Sequence, residues 1–145
     1  MKVERTIEIG VPPRRVYEVV MDPQRLQEWV TIHHSLKEAP QEELAKGSKL
    51  TQRLKLAGKK FEVRWTVVED ECPDRVVWEG KGPVRSEASV VYAFEPNGSG
   101  TRFSYTNEFK LPGGPLGEFG GRATRRYTAR ELDRSLERLK RLIES

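Results

Sequence analysis

Five residues stand out as groups that could do chemistry: Gln52, Ser86, Tyr92, Tyr105 and Asn107. Each falls on the side that apolar neighbours occupy in a stretch where apolar and polar residues alternate. Gln52 lies between Leu50 and Leu54, Tyr92 between Val90 and Phe94, and Tyr105 and Asn107 between Phe103 and Phe109. Ser86 shares the parity of Ala88 and Val90. Alternation at period two marks strands that bury one face. A polar group on that face must find a partner. In a closed core the partner is another side chain or a trapped water. In a cavity it is a carbonyl or hydroxyl of a bound molecule. Mostly apolar walls with a few placed polar groups describe a small-molecule site.

Other chemically suggestive stretches carry less. His33 and His34 are adjacent, and neighbours on a strand point to opposite sides, so they cannot share one metal. No Cys or His lies at zinc-like spacing from them, so no metal site is expected. They read as residues of a polar connection, solvated or at a pocket mouth. The acidic run Glu69–Asp74 lacks the ligand spacing and central Gly of an EF-hand and reads as a solvated turn. Gly117–Gly121 reads GEFGG without the preceding strand that a nucleotide loop needs. There is no Gly-x-Ser-x-Gly and no dinucleotide fingerprint, so no cofactor is expected. Arg122, Arg126, Arg130, Arg134 and Arg138 recur every four residues, a ridge that could touch phosphates. Glu118, Glu131, Asp133 and Glu137 interleave it, which is the pattern of a solvated, ion-paired face rather than a nucleic-acid interface. The alternative to a small-molecule binder is an interaction module that docks on a protein, a membrane surface or RNA through this helix.

The chain has 145 residues, 36% hydrophobic and 33% charged, with a net charge of +4. That suits one well-charged domain with a real core. No run approaches the ~20 apolar residues of a membrane span. The opening MKVERTIEIGV has no apolar h-region, and the single Cys72 excludes an internal disulfide. A cytoplasmic protein is the expectation, with a weak homodimer as one admissible assembly.

The elements that must position these groups can be read in order. Residues 2–9 alternate as a strand, with Arg5 on its apolar face, either snorkelling from an edge or pointing into a cavity. Val11-Pro12-Pro13 starts a short helix and Asp22-Pro23 a second one, as N-cap and N1 preferences dictate. A short strand at 35–39 and alternating strands at 48–56, 60–70, 75–79, 85–95 and 101–111 follow. The turns between them hold Gly58-Lys59, Pro73, Gly80–Pro83 and Asn97-Gly98. From Pro115 to Glu144 the pattern is one long helix, interrupted only by Gly120-Gly121. Leu132, Leu136, Leu139 and Ile143 form its apolar stripe. The line that continues this stripe backwards carries Gly121, Arg125, Thr128 and Ala129. The N-terminal half of the helix therefore shows the sheet small and polar residues, as a pocket lid would, or bends at Gly120-Gly121.

This order resembles the START-like, or polyketide cyclase/dehydrase-like (SRPBCC), superfamily. The residues that carry the resemblance are Val11-Pro12-Pro13-Arg14-Arg15-Val16-Tyr17, Asp22-Pro23, Trp29, Gly47, Pro73-Asp74-Arg75-Val76, Gly100-Thr101-Arg102 and the closing Leu132–Lys140. It implies an α+β helix-grip fold: a curved antiparallel sheet of about seven strands wrapped around the C-terminal helix. It also implies a deep apolar pocket between sheet and helix for a small hydrophobic molecule such as a lipid, quinone or polyketide. The residues expected around that pocket are Gln52, Leu54, Phe61, Trp65, Trp78, Ser86, Tyr92, Tyr105, Asn107, Gly121, Thr124, Arg125 and Thr128. If the protein is a polyketide cyclase/dehydrase, Tyr105, Asn107 and Arg125 are the candidates to polarise an enolising carbonyl.

Overall fold

The computed structural model describes residues 2–56, 58–110 and 122–145. Gly121, and any bend at Gly120-Gly121, lie outside the described residues. Strand β1 (Lys2–Ile9) leads into helix α1 (Pro13–Val20), a 3-10 turn (Pro23–Arg25) and the single-turn helix α2 (Leu26–Trp29). Strands β2 (His33–Glu38), β3 (Lys49–Leu56), β4 (Lys59–Glu71), β5 (Arg75–Lys81), β6 (Glu87–Asn97) and β7 (Gly100–Lys110) follow, then helix α3 (Arg122–Glu144).

Local chemistry accounts for the breaks. Pro13 occupies the first turn of α1, where its missing N–H costs nothing. Asp22 accepts a hydrogen bond from the Gln24 amide at 3.0 Å and restarts the chain ahead of Pro23. Gly98, at φ +63°, lets β6 turn into β7 between the paired Asn97 and Gly100.

The seven strands form one antiparallel, curved sheet in the order β1-β7-β6-β5-β4-β3-β2. Strands β2 to β7 are a meander in which every neighbour in space is a neighbour in sequence. Strand β1 closes the far edge against β7, pairing Val3 with Asn107 and Ile9 with Thr101. One face buries Leu50, Gln52, Leu54, Val63, Trp65, Val76, Trp78, Val90, Tyr92, Phe94, Phe103, Tyr105 and Asn107, the alternation the sequence predicts.

The stripe of α3 is buried as expected, with Leu132, Leu136, Leu139 and Ile143 in the core. The helix lies against β1 and α2. Polar contacts fix it there. The Thr31 amide donates to Ser135 Oγ at 3.0 Å, and the Thr31 hydroxyl donates to the Glu131 carbonyl at 3.1 Å. At its C-terminal end Glu144 Oε2 accepts from the Gly10 amide at 2.7 Å, and Lys140 Nζ donates to the Glu8 carbonyl at 2.7 Å.

Some expectations shift. His33 and His34 belong to β2 rather than to a polar connection, because His33 pairs with Leu54 across the sheet. Ser86 closes the turn before β6, its hydroxyl on the Pro83 carbonyl at 2.7 Å. Arg5 snorkels from the edge strand to Asp133 of α3 at 3.1 Å, 43% exposed, and does not enter the core. On the ridge of α3 the expected ion pairing is sparse among the described residues. Glu131 pairs with Arg134, Asp133 turns to Arg5 and Glu144 to Lys140.

Candidate functional site

Register places the chemically distinctive residues in neighbouring rows across the sheet. Trp78, Val90 and Asn107 share one row. Val76, Tyr92 and Tyr105 share the next, and Trp65, Gly80, Ala88 and Phe109 the one on its other side. A side chain at position 80 would collide with its neighbours. A Cβ there would come within 2.5 Å of Val63 and 2.7 Å of the Trp65 ring. Gly80 thus lets the Trp65 indole lie across the strand.

Helix α2 covers this face. Trp29 is fully buried and meets Tyr92, Phe103 and Tyr105 edge-on at centroid distances of 6.0, 6.4 and 6.0 Å. Trp78 meets Trp65 at 6.0 Å and Tyr92 at 5.5 Å, and Tyr92 meets Tyr105 at 4.9 Å. Such edge-to-face packing is the favoured arrangement for aromatic rings.

Between α2 and the sheet lies an inner cavity of about 10 Å³, room for about one water molecule. Leu26, Val30, Ile32, Gln52, Leu54, Trp65, Trp78, Val90, Tyr92, Tyr105, Asn107 and Phe109 line it. Seven expected site residues therefore come together: Gln52, Leu54, Trp65, Trp78, Tyr92, Tyr105 and Asn107. Phe61 is half-buried and packs on the core beside them. Ser86, Thr124, Arg125 and Thr128 do not line the cavity. Thr128 is buried with its hydroxyl on the Thr124 carbonyl at 2.9 Å. Arg125 overlooks a separate groove of about 470 Å³ with Lys2, Val3, Glu4, Arg5 and Ala129. A larger open groove of about 760 Å³ crosses β2 to β7, lined mainly by exposed side chains such as Lys49, Arg64, Glu79, Lys81, Glu87 and Glu108, and also by Leu50, Trp65, Gly80 and Ala88. Its mixed charges are those of a solvated sheet face. The inner cavity, where buried polar groups converge, is the candidate site.

Those polar groups fall into three sets. In the first, Trp65 Nε1 donates to Gln52 Oε1 at 2.9 Å, and Gln52 Nε2 lies 2.8 Å from His33 Nδ1. An indole can only donate, so the Gln52 oxygen must face Trp65 and its NH₂ must donate to His33. His33 Nδ1 is then an acceptor, and the ring carries its proton on Nε2. Burial, with a smaller contribution from His34, holds the His33 pKa below its ordinary value. The histidine is half-buried at the outer end of a chain that starts on the cavity wall; the sequence offered it as solvated or at a pocket mouth and did not foresee its bond to Gln52.

The second set is Tyr92 and Tyr105, both deeply buried. Burial pushes Tyr105 up to about 12, opposed in part by hydrogen bonds from Tyr92 and Asn107. Burial likewise raises Tyr92, reinforced by Tyr105. Both phenols stay protonated near neutrality. They can offer hydrogen bonds to a bound oxygen and cannot serve as bases there. The third set is unpaired: among the described residues, Trp29 Nε1, Trp78 Nε1 and Asn107 Oδ1 are buried without a hydrogen-bond partner, and of these Trp78 and Asn107 line the cavity. The described lining of the cavity holds no carboxylate, lysine or histidine.

Leu26, Val30, Ile32, Val90 and Phe109 also line the cavity, outside the expected set. Leu26 and Val30 at i and i+4 signalled a buried side of α2, and its docking over the sheet was the missing step.

Comparisons with known proteins agree with this architecture. The crystal structure of TTHA0849 from Thermus thermophilus superposes with a TM-score of 0.79 at 23% identity, covering 99% of this chain and 97% of that one. A conserved protein from Geobacillus kaustophilus gives 0.77 at 20% identity, over 99% and 95%. At these identities the likeness concerns the fold. Among curated proteins, Toxin Rv0910 of Mycobacterium tuberculosis strain H37Rv is 25% identical over 118 residues, 80% of this chain and 82% of that protein. A family model described as polyketide cyclase / dehydrase and lipid transport matches residues 1–144. With the helix-grip sheet, the closing helix and this match along nearly the whole chain, the protein belongs to the polyketide cyclase / dehydrase and lipid transport family.

Proposed function

We propose that the protein binds a small hydrophobic molecule, lipid-, quinone- or polyketide-like, in the inner space between α2 and the sheet. The observation that carries this reading is the composition of the cavity wall. Aromatic and aliphatic side chains surround a few buried polar groups, two of which lack partners among the described residues. A finished core pairs most such groups, and here two of the three unpaired ones among the described residues gather at this cavity. Ligand pockets have volumes of roughly 300–1,000 Å³, far above the about 10 Å³ of the inner cavity. Binding therefore parts the walls, with α2 and the Phe109 end of β7 as the segments to move.

If the bound molecule is also transformed, Tyr105 and Asn107 are the groups to do it. Tyr105 polarises a carbonyl as a neutral donor and Asn107 orients it. A cyclase or dehydrase built this way works by shaping a reactive chain rather than by a buried base. The test is native mass spectrometry of protein expressed in its own host, with a thermal-shift panel of apolar ligands. A co-purifying lipid, quinone or polyketide supports the reading. No bound species and no shift across the panel sinks it.

A second reading is favoured by the charge pattern of α3. Arg122, Arg126, Arg130, Arg138 and Arg141 make no ion pair among the described residues, while Asp133 is engaged by Arg5 of β1 and Glu144 by Lys140. A module docking on an anionic surface would use this ridge. Its binding to anionic vesicles or RNA would fall steeply between low and moderate salt, whereas capture of an apolar ligand would not.

A further inference from the structure

The unpaired atoms of the cavity say more about the ligand than its hydrophobicity does. Trp78 is 2% exposed and Asn107 3% exposed. Trp78 Nε1 can only donate and Asn107 Oδ1 can only accept. The two residues flank Val90 in one cross-strand row and line the same void, whose volume of about 10 Å³ matches a single oxygen-sized group. Both atoms are satisfied at once by a small group that accepts and donates, as a trapped water does in the empty cavity and a hydroxyl does on a bound apolar molecule. A hydroxyl accepts the Trp78 proton on its oxygen and gives its own proton to Asn107. A ketone, ester or ether serves Trp78 and leaves Asn107 unpaired; a hydrocarbon serves neither.

We infer that the ligand is a hydrophobic alcohol or phenol, anchored by its hydroxyl between Trp78 Nε1 and Asn107 Oδ1. This rests on the small-molecule reading of the cavity and narrows its ligand class. A quinol is accepted over the corresponding quinone, and a hydroxylated ring over its methyl ether. The apolar body of the ligand spreads among Leu54, Trp65 and Phe109, and the Tyr92–Tyr105 pair lies on the adjacent row. Leaving a buried acceptor unpaired costs about 1–3 kcal/mol, so the preference for a hydroxyl is expected to be about tenfold or more in Kd.

The test uses three probes of nearly one shape: 2-naphthol, 2-methoxynaphthalene and naphthalene. Their affinities are measured by calorimetry or by NMR titration of the intact protein. The expected order is 2-naphthol tightest, by about tenfold or more over the ether, with naphthalene weakest. The Trp78 indole N–H resonance is expected to move downfield with 2-naphthol and to stay nearly fixed with naphthalene. In Asn107→Leu the naphthol and its ether should bind alike, and in Trp78→Phe the gap between ether and naphthalene should close. Equal binding of naphthol and ether to the native protein overturns the hydroxyl assignment and leaves the pocket standing. So does a preference that survives Asn107→Leu. If none of the three probes binds, the pocket reading falls and the assignment falls with it. The indole resonance is read on the native protein, so the outcome does not depend on either variant folding.

Discussion

Gln52 is held from both sides, by Trp65 on the cavity wall and by His33 toward solvent. Protonating His33 at Nδ1 removes the acceptor that the Gln52 amide needs, so protonation and the native hydrogen bond compete. The folded pKa is lowered, chiefly by burial, while the unfolded chain has the ordinary value of about 6.5. The sign follows: the stabilisation is complete above about 6.5 and is lost as pH falls below it through the lowered folded value. Urea unfolding at pH 8 and pH 5 should show a larger loss for the native protein than for His33→Gln. Equal losses would show that His33 is not the group responsible. Gly80 makes a second prediction at this scale. Its substitution by Ala puts a Cβ 2.5 Å from Val63 and 2.7 Å from the Trp65 ring, and both neighbours are buried. Overpacking of this kind costs about 1–3 kcal/mol, and Trp65 fluorescence should shift with it. Retained stability with an unchanged spectrum would refute the close approach. Neither contact was legible beforehand. Alternation put Gln52, Trp65 and Trp78 on one face, but the Gln52–His33 pair bridges two strands whose register is irregular.

Helices and strands were far more legible than contacts, because their periodicities act locally. Strands β3 to β7 begin and end within about two residues of where alternation and turn residues place them. The stripe Leu132, Leu136, Leu139, Ile143 is buried throughout. Its backward continuation was misleading at Arg125, since there the line leaves the core for the groove beside Lys2 and Arg5. Helical angle gives direction, and only the length of the partner strand says where cover ends. What seats α3 is polar. Ser135, 3% exposed, serves both the amide and the hydroxyl of Thr31. Ser135→Ala strands the Thr31 amide in a part-buried position and should cost about 1–3 kcal/mol in chemical denaturation. Arg5→Ala, by contrast, breaks an exposed pair with Asp133 and should change stability by no more than about 1 kcal/mol. A larger loss would restore the idea that Arg5 reaches inward. The sequence also promised ion pairs all along the ridge of α3. Of the acids it relied on, Glu131 does pair within the helix, with Arg134, but Asp133 turns to Arg5 of β1, a partner that helical spacing cannot foresee.

At the scale of the whole molecule, two expectations rested on periodicity and one on resemblance. The α+β class and the single sheet follow from runs of alternating strands closed by a helix. The pocket came with the family, and composition does not encode how far it stands open. None of the described helices is long and apolar enough to cross a membrane. The way the chain closes has a temporal consequence. Strand β1 leaves a ribosome before the other strands, yet its partner β7 comes about a hundred residues later, and Gly10 meets Glu144 only once α3 is made. The hairpins from β2 to β7 can zip as they appear, since each contact is local. Their aromatic face waits, with only part of its cover, until the final helix is synthesised. Nascent chains halted before Arg122 should bind a hydrophobic dye and be cut readily by protease, and release of the last twenty-four residues should abolish both. The closing helix thus decides when translation yields a protected molecule, and a slow or truncated message would leave an adhesive one.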